Sequence, residues 1–81
     1  IGWLKTNKFY AFKTIVCNRN GIADVVGCTP KGRFFCVELK VGYNKASKLQ
    51  LWNIEEVRKL NGIAFVAYDL QTVVDNLSSE I

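Results

Sequence analysis

Three charged side chains lie within stretches that are otherwise apolar and strand-forming. Asp24 interrupts the run IADVVGCT, and Glu38 and Lys40 fall in the run RFFCVELK. Burying a carboxylate or an ammonium group is costly unless another group compensates its charge. Two carboxylates and one amine are groups with which a protein can bind a divalent cation and orient a water molecule for hydrolysis.

The turn between the two stretches is expected to place the carboxylates opposite each other. If residues 30–32 (PKG) form a three-residue hairpin loop, Asp24 falls directly across the strand pair from Glu38. Like charges at opposed positions destabilise a strand pair, and one lysine cannot neutralise two buried acids. Oxygens from both carboxylates, with waters and the backbone carbonyl of Leu39, make the hard donor set that suits Mg²⁺ or Mn²⁺. The alternative is a buried charge network without catalytic duty.

Hydrophobic patterning predicts four strands and two helices that position these groups. The strands are expected at residues 8–16, 22–29, 33–40 and 63–68, each rich in apolar, β-branched or aromatic residues. A helix is predicted from the N-cap Ser47 to about Leu60, before the C-cap signal Asn61-Gly62. Residues 70–77 are expected to form a short closing helix.

The fold class that follows is α/β, in a single domain over residues 1–81. We predict a mixed four-stranded sheet, with a three-strand antiparallel meander and a fourth strand added in parallel through a helical crossover. Runs that are apolar on both phases suggest strands covered on both faces, so Phe34, Phe35 and the cysteines are expected in the core. Trp52 is expected to pack in the same way rather than stack on a base. Gln50 faces inward, where it is either a capping-box partner for Ser47 or part of the site.

Length and composition exclude several classes of protein. Eighty-one residues hold one domain, and 49% hydrophobic with 22% charged residues is typical of a globular chain rather than a disordered or repetitive one. No apolar run reaches the ~18–20 residues of a membrane span, and the first residues (IGWLK) lack signal-peptide organisation. We therefore expect a soluble, cytoplasmic protein with no membrane partner.

Cysteine and histidine usage narrows the chemistry. Cys17, Cys28 and Cys36 form no C-x-x-C pair and are odd in number, so neither a disulfide framework nor a structural zinc site is indicated. The absence of histidine excludes imidazole as base, nucleophile or ligand. Hydrolysis would then depend on carboxylates, lysine and a hard metal ion, with no nucleotide or organic cofactor.

The charge distribution points to a polyanionic partner. Residues 1–50 carry nine Lys and Arg against two acids, a net charge of +7, whereas residues 51–81 carry two against five, a net charge of −3. A basic first half and an acidic second half are typical of a protein that presents one basic face to nucleic acid. Scattered solubilising lysines are the alternative.

At these positions the chain resembles the PD-(D/E)xK nuclease superfamily, and specifically its VRR-NUC (virus-type replication-repair nuclease) branch in the stand-alone phage form. The resemblance rests on GIAD at 21–24, VELK at 37–40, KLQLW at 48–52 and NGIA at 61–64, and it covers roughly residues 7–75. It implies a restriction-endonuclease-like core and hydrolysis of DNA phosphodiester bonds with Mg²⁺ or Mn²⁺.

The resemblance also implies a role for each matching residue. Asp24 and Glu38 would be metal ligands, with the Leu39 carbonyl as a third. Lys40 would orient or activate the attacking water and offset charge in the transition state, and Gln50 would support the water or the phosphate. The resemblance further implies that the substrate is branched DNA such as a Holliday junction and that the protein is a homodimer. It implies a location in the cytoplasm of a bacterial or phage-infected cell.

Two positions depart from the family pattern. Ala23 stands where the family usually has proline, which changes backbone stiffness rather than chemistry. The family also places a glutamate on an N-terminal helix beside the metals, and nothing before Asp24 is acidic here. Because the first residue is not Met, such a helix could precede Ile1. Otherwise the glutamate comes from elsewhere or the site uses fewer ligands, and the number of metals stays open.

Contacts with DNA are expected from polar residues that flank the site. Arg19 and Asn20 precede the motif aspartate, and Lys45 and Lys48 flank the following loop, so we predict that these residues meet backbone phosphates. The sequence therefore predicts a metal-dependent, structure-selective DNA endonuclease. The rival hypotheses are a non-catalytic DNA-binding module that retains the fold, and an interaction subunit whose basic half docks an acidic protein.

Overall fold

A computed structural model describes residues 1–14 and 21–81 of the chain. Its elements follow the order α1 (Gly2–Thr6), β1 (Tyr10–Lys13), β2 (Val25–Cys28), β3 (Phe34–Leu39), α2 (Lys48–Lys59), β4 (Ile63–Ala67) and α3 (Leu70–Leu77), with a 3₁₀ turn at Ser78–Glu80. No helix among the described residues is long and apolar enough to cross a membrane.

The four strands form one mixed sheet in the order β1-β2-β3-β4. The β1–β2 and β2–β3 pairs are antiparallel, and β4 lies parallel to β3 after the crossover through α2. The predicted α/β class, meander and parallel fourth strand are confirmed. Chain order equals spatial order because each connection, the long crossover through α2 included, returns the chain to the neighbouring position in the sheet.

The turn between β2 and β3 fixes their register as predicted. The amide of Thr29 donates to the carbonyl of Arg33 at 2.8 Å, and Gly32 supplies the positive φ, +85°, that the tight loop requires. Val25 then pairs with Val37 and Cys28 with Phe34. Extended by one residue, the same register places Asp24 across from Glu38.

Two apolar clusters lie on opposite faces of the sheet. One packs Phe35, Val37 and Phe65 against α1 and α3, with Leu4 and Leu77 as contributions from those helices. The other lies under α2 and comprises Ala23, Cys36, Ile54 and Ala64. Alternation along β3 sends odd-numbered side chains to the first cluster and even-numbered ones, Glu38 included, to the α2 face.

Gly27 is required by the close approach of β1. A Cβ atom at this position would lie 1.9 Å from the carbonyl oxygen of Tyr10, far inside van der Waals contact. Any side chain here would push β1 and β2 apart.

The ends of the main helix agree with the sequence prediction. Ser47 is the N-cap of α2, and its side chain accepts from the amide of Gln50 in a complete capping box. Leu60 is the C-cap, and Asn61 follows with a φ of 66°. The closing helix at Leu70–Leu77 is also as predicted.

Other element predictions need correction. The strands are shorter than expected; the first begins at Tyr10 because Lys8 has a φ of 70°, and its predicted residues 15 and 16 lie outside the described part of the chain. Helix α1 was not predicted at all, since five residues carry too little periodicity to be distinguished from a loop.

The expectation that both faces of the sheet are covered is wrong on the α2 side. Helix α2 packs mainly on β4 and β3, and Phe34 and Cys28 are exposed instead of lying in the core. Trp52 on α2 and the C-cap residue Leu60 are exposed as well, so the expectation that Trp52 packs in the core is wrong. Phe35 and Cys36 are buried as predicted; Cys17 lies outside the described residues.

The C-terminal turn is anchored to the β2–β3 loop. Glu80 is buried, and its two carboxylate oxygens accept from the Thr29 hydroxyl at 2.8 Å and from the Arg33 guanidinium at 3.1 Å. Lys31 donates to the carbonyl of Ser79 at 2.7 Å. The hydrogen bond from Thr29 and the charge of Arg33 lower the pKa of Glu80, which is therefore ionised at neutral pH.

Candidate active site

Asp24 and Glu38 meet at the edge of the sheet where β2 begins and β3 ends. The register aligns Thr14, Asp24 and Glu38 in one row across β1, β2 and β3, all on the face that α2 covers in part. Side chains of directly opposed residues are about 5 Å apart at Cβ. The predicted convergence of the two carboxylates is therefore present in the structure.

Thr14 and Leu39 hold Asp24 in place. The amide of Thr14 donates to the carbonyl of Asp24 at 2.9 Å, and its hydroxyl donates to the carbonyl of Ala23 at 2.6 Å. The amide of Leu39 donates to Asp24 Oδ2 at 2.9 Å, so the side chain continues the β2–β3 hydrogen-bond ladder beyond the last backbone pair. Sequence reasoning missed Thr14, and only the strand register could have revealed it.

The backbone of Leu39 faces the same edge. In an antiparallel pair, the N–H and C=O of one residue point to the same neighbouring strand. Because the Leu39 N–H points to Asp24, its carbonyl is directed toward the β2 side as well. This direction agrees with the expected carbonyl ligand.

Glu38 is only 3% exposed, and its two oxygens have different surroundings. Oε1 accepts from Gln50 Nε2 at 3.0 Å and lies 3.4 Å from the Lys40 ammonium nitrogen. Oε2 is buried and has no hydrogen-bond partner among the described residues. Burial, followed by the closeness and charge of the Asp24 carboxyl, raises the pKa of Glu38, and Lys40 opposes that rise only in part.

Gln50 makes one contact of each kind that the sequence left open, one in the capping box and one with Glu38. Its Oε1 accepts from the backbone amide of Ser47 at 2.8 Å, which completes the capping box, and its Nε2 donates to Glu38. The cap thus fixes the orientation of the amide, since its oxygen is held by the N-cap and its nitrogen faces the carboxylate. One side chain connects the start of α2 to the site.

The loop before Asp24 packs closely under α2. Gly21 has a φ of +77°, and a Cβ atom there would lie 2.6 Å from Leu49 Cγ and 2.9 Å from Asn53 Nδ2. Glycine therefore permits both the backbone conformation and the close approach. This packing brings the glycine of the GIAD segment next to the helix that carries Gln50.

Two openings reach the carboxylates from different sides. A cavity of about 60 Å³ lies between α2 and the sheet, and Glu38 and Gln50 are in its wall. An open groove of about 220 Å³ lies on the other side of Asp24, where Lys13, Thr14 and Leu39 form part of its lining. Lys13 is exposed, so the groove gives solvent and solutes access to Asp24 beside a cationic side chain.

A cavity larger than these two openings does not contain the two carboxylates. It measures about 300 Å³ and lies on the opposite face, between α1, α3 and the sheet, with Trp3, Val37 and Val73 among its apolar walls. Its one carboxylate belongs to Asp69, whose side chain is already engaged as the N-cap of α3. Leu39 and Lys40 also line this cavity, but Asp24 and Glu38 do not, so volume alone would have pointed away from the two carboxylates.

Cys36 is the buried one of the two thiols in the described part of the chain. Burial, together with the negative charge of Glu38, raises the pKa of Cys36 to about 11. Cysteine is nucleophilic only as the thiolate, so Cys36 is a core residue here.

The predicted phosphate contacts are only partly described. Lys45 and Lys48 are exposed on the loop before α2 and at its first turn, and neither takes part in the ion pairs of the described residues. Arg19 and Asn20 lie outside the described part of the chain. Lys13 was not selected from the sequence. It lines the same groove as Asp24.

The donor set fits a hard divalent cation that keeps several waters. No group of three or more His, Cys, Asp or Glu side chains is present among residues 1–14 and 21–81, and α1 (GWLKT) carries no acid. The two carboxylates each engage one oxygen in the protein and leave the other, Oδ1 of Asp24 and Oε2 of Glu38, without a hydrogen bond in the described structure. Mg²⁺ is commonly held by one or two carboxylates together with waters and phosphate oxygens.

Comparison with known proteins adds no relative. The chain matches no protein-family model, no curated protein and no solved structure.

Proposed function

We propose that this protein is a Mg²⁺- or Mn²⁺-dependent endonuclease that hydrolyses phosphodiester bonds of DNA. The observation that carries the proposal is the buried, unpartnered Oε2 of Glu38, which lies beside Asp24 and a lysine. A buried acceptor without a partner costs about 1–3 kcal/mol. In a chain of 81 residues, a bound cation accounts for that cost better than a purely structural network does.

Asp24, Glu38 and the carbonyl of Leu39 would hold the cation. When bound, it would polarise the phosphoryl oxygen and lower the pKa of a bound water. The residues of the chain orient these ligands: Leu39 N–H fixes Asp24, and Gln50 fixes Glu38. With Oε1 of Glu38 occupied by two donors, Oε2 is the oxygen that remains for the metal.

Lys40 supplies the positive charge closest to the carboxylates. Its side chain is 20% exposed, and its ammonium group lies at the boundary between Glu38 and solvent. From that position it can hold a water molecule by hydrogen bonding and offset the negative charge that develops on a phosphate in the transition state. Lysine thus takes the place of histidine, which the chain lacks.

The basic first half of the chain supports DNA as the substrate. Exposed Lys13, Lys45 and Lys48 are available for phosphate contacts, which supply most of the affinity for nucleic acids. The resemblance to VRR-NUC nucleases supports the same substrate class and a restriction-endonuclease-like core. Selectivity for branched DNA, a homodimer and a cytoplasmic location stay predictions.

A cleavage panel tests the proposal. Four-way junction, flap, single-stranded and linear duplex DNA are incubated with Mg²⁺ or Mn²⁺ and the parent, Glu38→Gln or Lys40→Met. We expect the parent to cut at least one substrate and both variants to lose at least about a hundredfold in rate, the cost of removing a group that acts on the transition state. Glu55→Gln, which alters an exposed carboxylate paired with Arg58, is the matched control and should cut like the parent.

Binding measured separately distinguishes the rival functions. Both variants should still bind DNA in EDTA, since phosphate contacts are made by other lysines. Parent and variants that cleave equally well would contradict the catalytic assignment. DNA binding that is insensitive to metal, with no cleavage of any substrate, would instead identify a non-catalytic module.

A further inference from the structure

An uncharged aromatic surface leads along the sheet to the candidate site. Tyr10 and Phe12 on β1 are 72% and 50% exposed, although both lie on a sheet face rather than in a loop. Their cross-strand partners are Cys28 and Val26, which places them on the same face as the site. Their ring centroids are 6.0 Å apart in an edge-to-face arrangement.

The register places this surface next to the carboxylates. Along β1, the positions on this face run Tyr10, Phe12 and Thr14, and Thr14 lies opposite Asp24. Phe12 pairs with Val26, so it is a diagonal neighbour of Asp24 at about 7–8 Å. Tyr10 follows one step farther, about 6.6–6.8 Å along the strand.

The charged residues near the aromatic surface are lysines, as in grooves that bind single-stranded nucleic acids. Residues 1–14 contain three lysines and no acid. Lys8 precedes β1, and Lys13 ends it on the face opposite Phe12 but at the free edge of the sheet. Both lysines are exposed, and neither takes part in the ion pairs of the described residues. Proteins that bind single strands combine a cationic track for the backbone with aromatic side chains on which successive bases stack.

We propose that Tyr10 and Phe12 form a stacking platform for unpaired bases of the DNA strand whose phosphate lies at the Asp24–Glu38 site. This inference rests on the proposed function and specifies its substrate class: DNA with two or more unpaired nucleotides beside the cut. Phe12 stacks on the base nearer the metal site, and Tyr10 stacks on the next base. Lys8 and Lys13 contact the phosphates of the same strand.

Two features favour bases over a second copy of the chain as the occupant. The lysines at both ends of β1 would lie close to one another in a two-fold pairing of this edge strand, and like charges in close approach are unfavourable. A polyanion neutralises the same lysines. Asp24, the diagonal neighbour of Phe12, also lines an open groove together with Lys13, so one strand can contact both the rings and the groove.

Binding without cleavage tests the platform. A fluorescein-labelled oligo-dT strand, a blunt duplex of equal length and a flap are titrated in EDTA with the parent, Tyr10→Val, Phe12→Val and Phe12→Trp. Valine keeps the strand propensity but removes the π surface. Each valine variant should weaken oligo-dT and flap binding by about 5- to 150-fold, the range that corresponds to loss of one stacked base, and leave duplex binding unchanged. Phe12→Trp keeps an aromatic surface and should bind single strands at least as tightly as the parent.

Trp52→Leu is the matched control, because Trp52 is half-exposed on α2 and lies away from the platform. It should bind all three probes like the parent. Equal losses on duplex and single strand, or none on either, would overturn the platform. The same would follow if sedimentation showed a parent dimer that either valine variant converts to a monomer. If Glu38→Gln cleaves normally while the stacking losses are observed, the proposed catalysis fails and the platform stands as a binding site.

Discussion

Replacing Glu38 with glutamine should stabilise the folded protein at neutral pH while it removes a proposed metal ligand. Glutamine keeps the shape of the side chain, can still accept from Gln50, and can donate to Asp24 where two acids now face each other. Relief of the buried, unpartnered Oε2 should contribute about 1–3 kcal/mol. Loss of the ion pair with Lys40, whose side chain is 20% exposed, should cost up to about 1 kcal/mol.

The net gain should be about 1–2 kcal/mol, which corresponds to an increase of roughly 5–15 °C in Tm for a domain of this size. The gain should depend on pH in a defined direction. Because the native pKa of Glu38 is raised above its ordinary 4.5, the unfolded chain releases this proton at a lower pH than the native state does. Stability of the parent is therefore lost as the pH rises from about 4.5 through the native pKa, and the variant lacks this loss.

Thermal unfolding followed by circular dichroism between pH 4 and pH 8 measures the effect. The two proteins should have similar Tm values at the acidic end and diverge toward neutral pH. Glu55→Gln, at an exposed ion pair, should change stability by less than about 0.5 kcal/mol at every pH. A Glu38→Gln protein that is less stable than the parent at pH 7, or a difference that does not vary with pH, would refute the account of an uncompensated buried carboxylate.

Two substitutions test other parts of the structure. Gln50→Glu should retain the capping box, since glutamate also accepts from the N-cap amide, but it replaces the donor to Glu38 with a third acid; helix content should be unchanged by circular dichroism, and DNA cleavage should fall at least about tenfold. Undiminished cleavage would show that Gln50 serves the cap alone. Gly27→Ala should destabilise the protein by more than about 3 kcal/mol in urea unfolding, because its Cβ would overlap the carbonyl of Tyr10; a loss under about 1 kcal/mol would show that β1 can separate from β2 without cost.

Local rules were sufficient to predict the sheet and to place the acids. The loop at residues 30–32 determines which residues of β2 and β3 face each other, so the convergence of Asp24 and Glu38 required only counting from the turn. The cap at Ser47 follows from the residue types that bind free helix amides. These features depend on contacts between residues close in the chain.

The extent of burial could not be predicted in the same way. Whether Phe34 and Phe12 are core or surface depends on how far one helix extends across a four-stranded sheet, and no pattern within a strand specifies that distance. Thr14 was missed for a related reason, because its role appears only when β1 is aligned with β2. In each of these cases the outcome depends on how strands and helices that are distant in the chain are aligned, and not on the structural propensity of the residues themselves.

The attachment of the C-terminal turn to the β2–β3 loop has a consequence for how this protein can vary. Asp24 lies five positions before Thr29 and Glu38 five positions after Arg33, and Glu80 holds Thr29 and Arg33 together from outside. The composition of the intervening loop is free to drift, but its length is not, because a single inserted or deleted residue would send one acid to the far side of the sheet. Homologues of this chain should therefore tolerate insertions and deletions almost anywhere on the surface except at the tip of the β2–β3 hairpin.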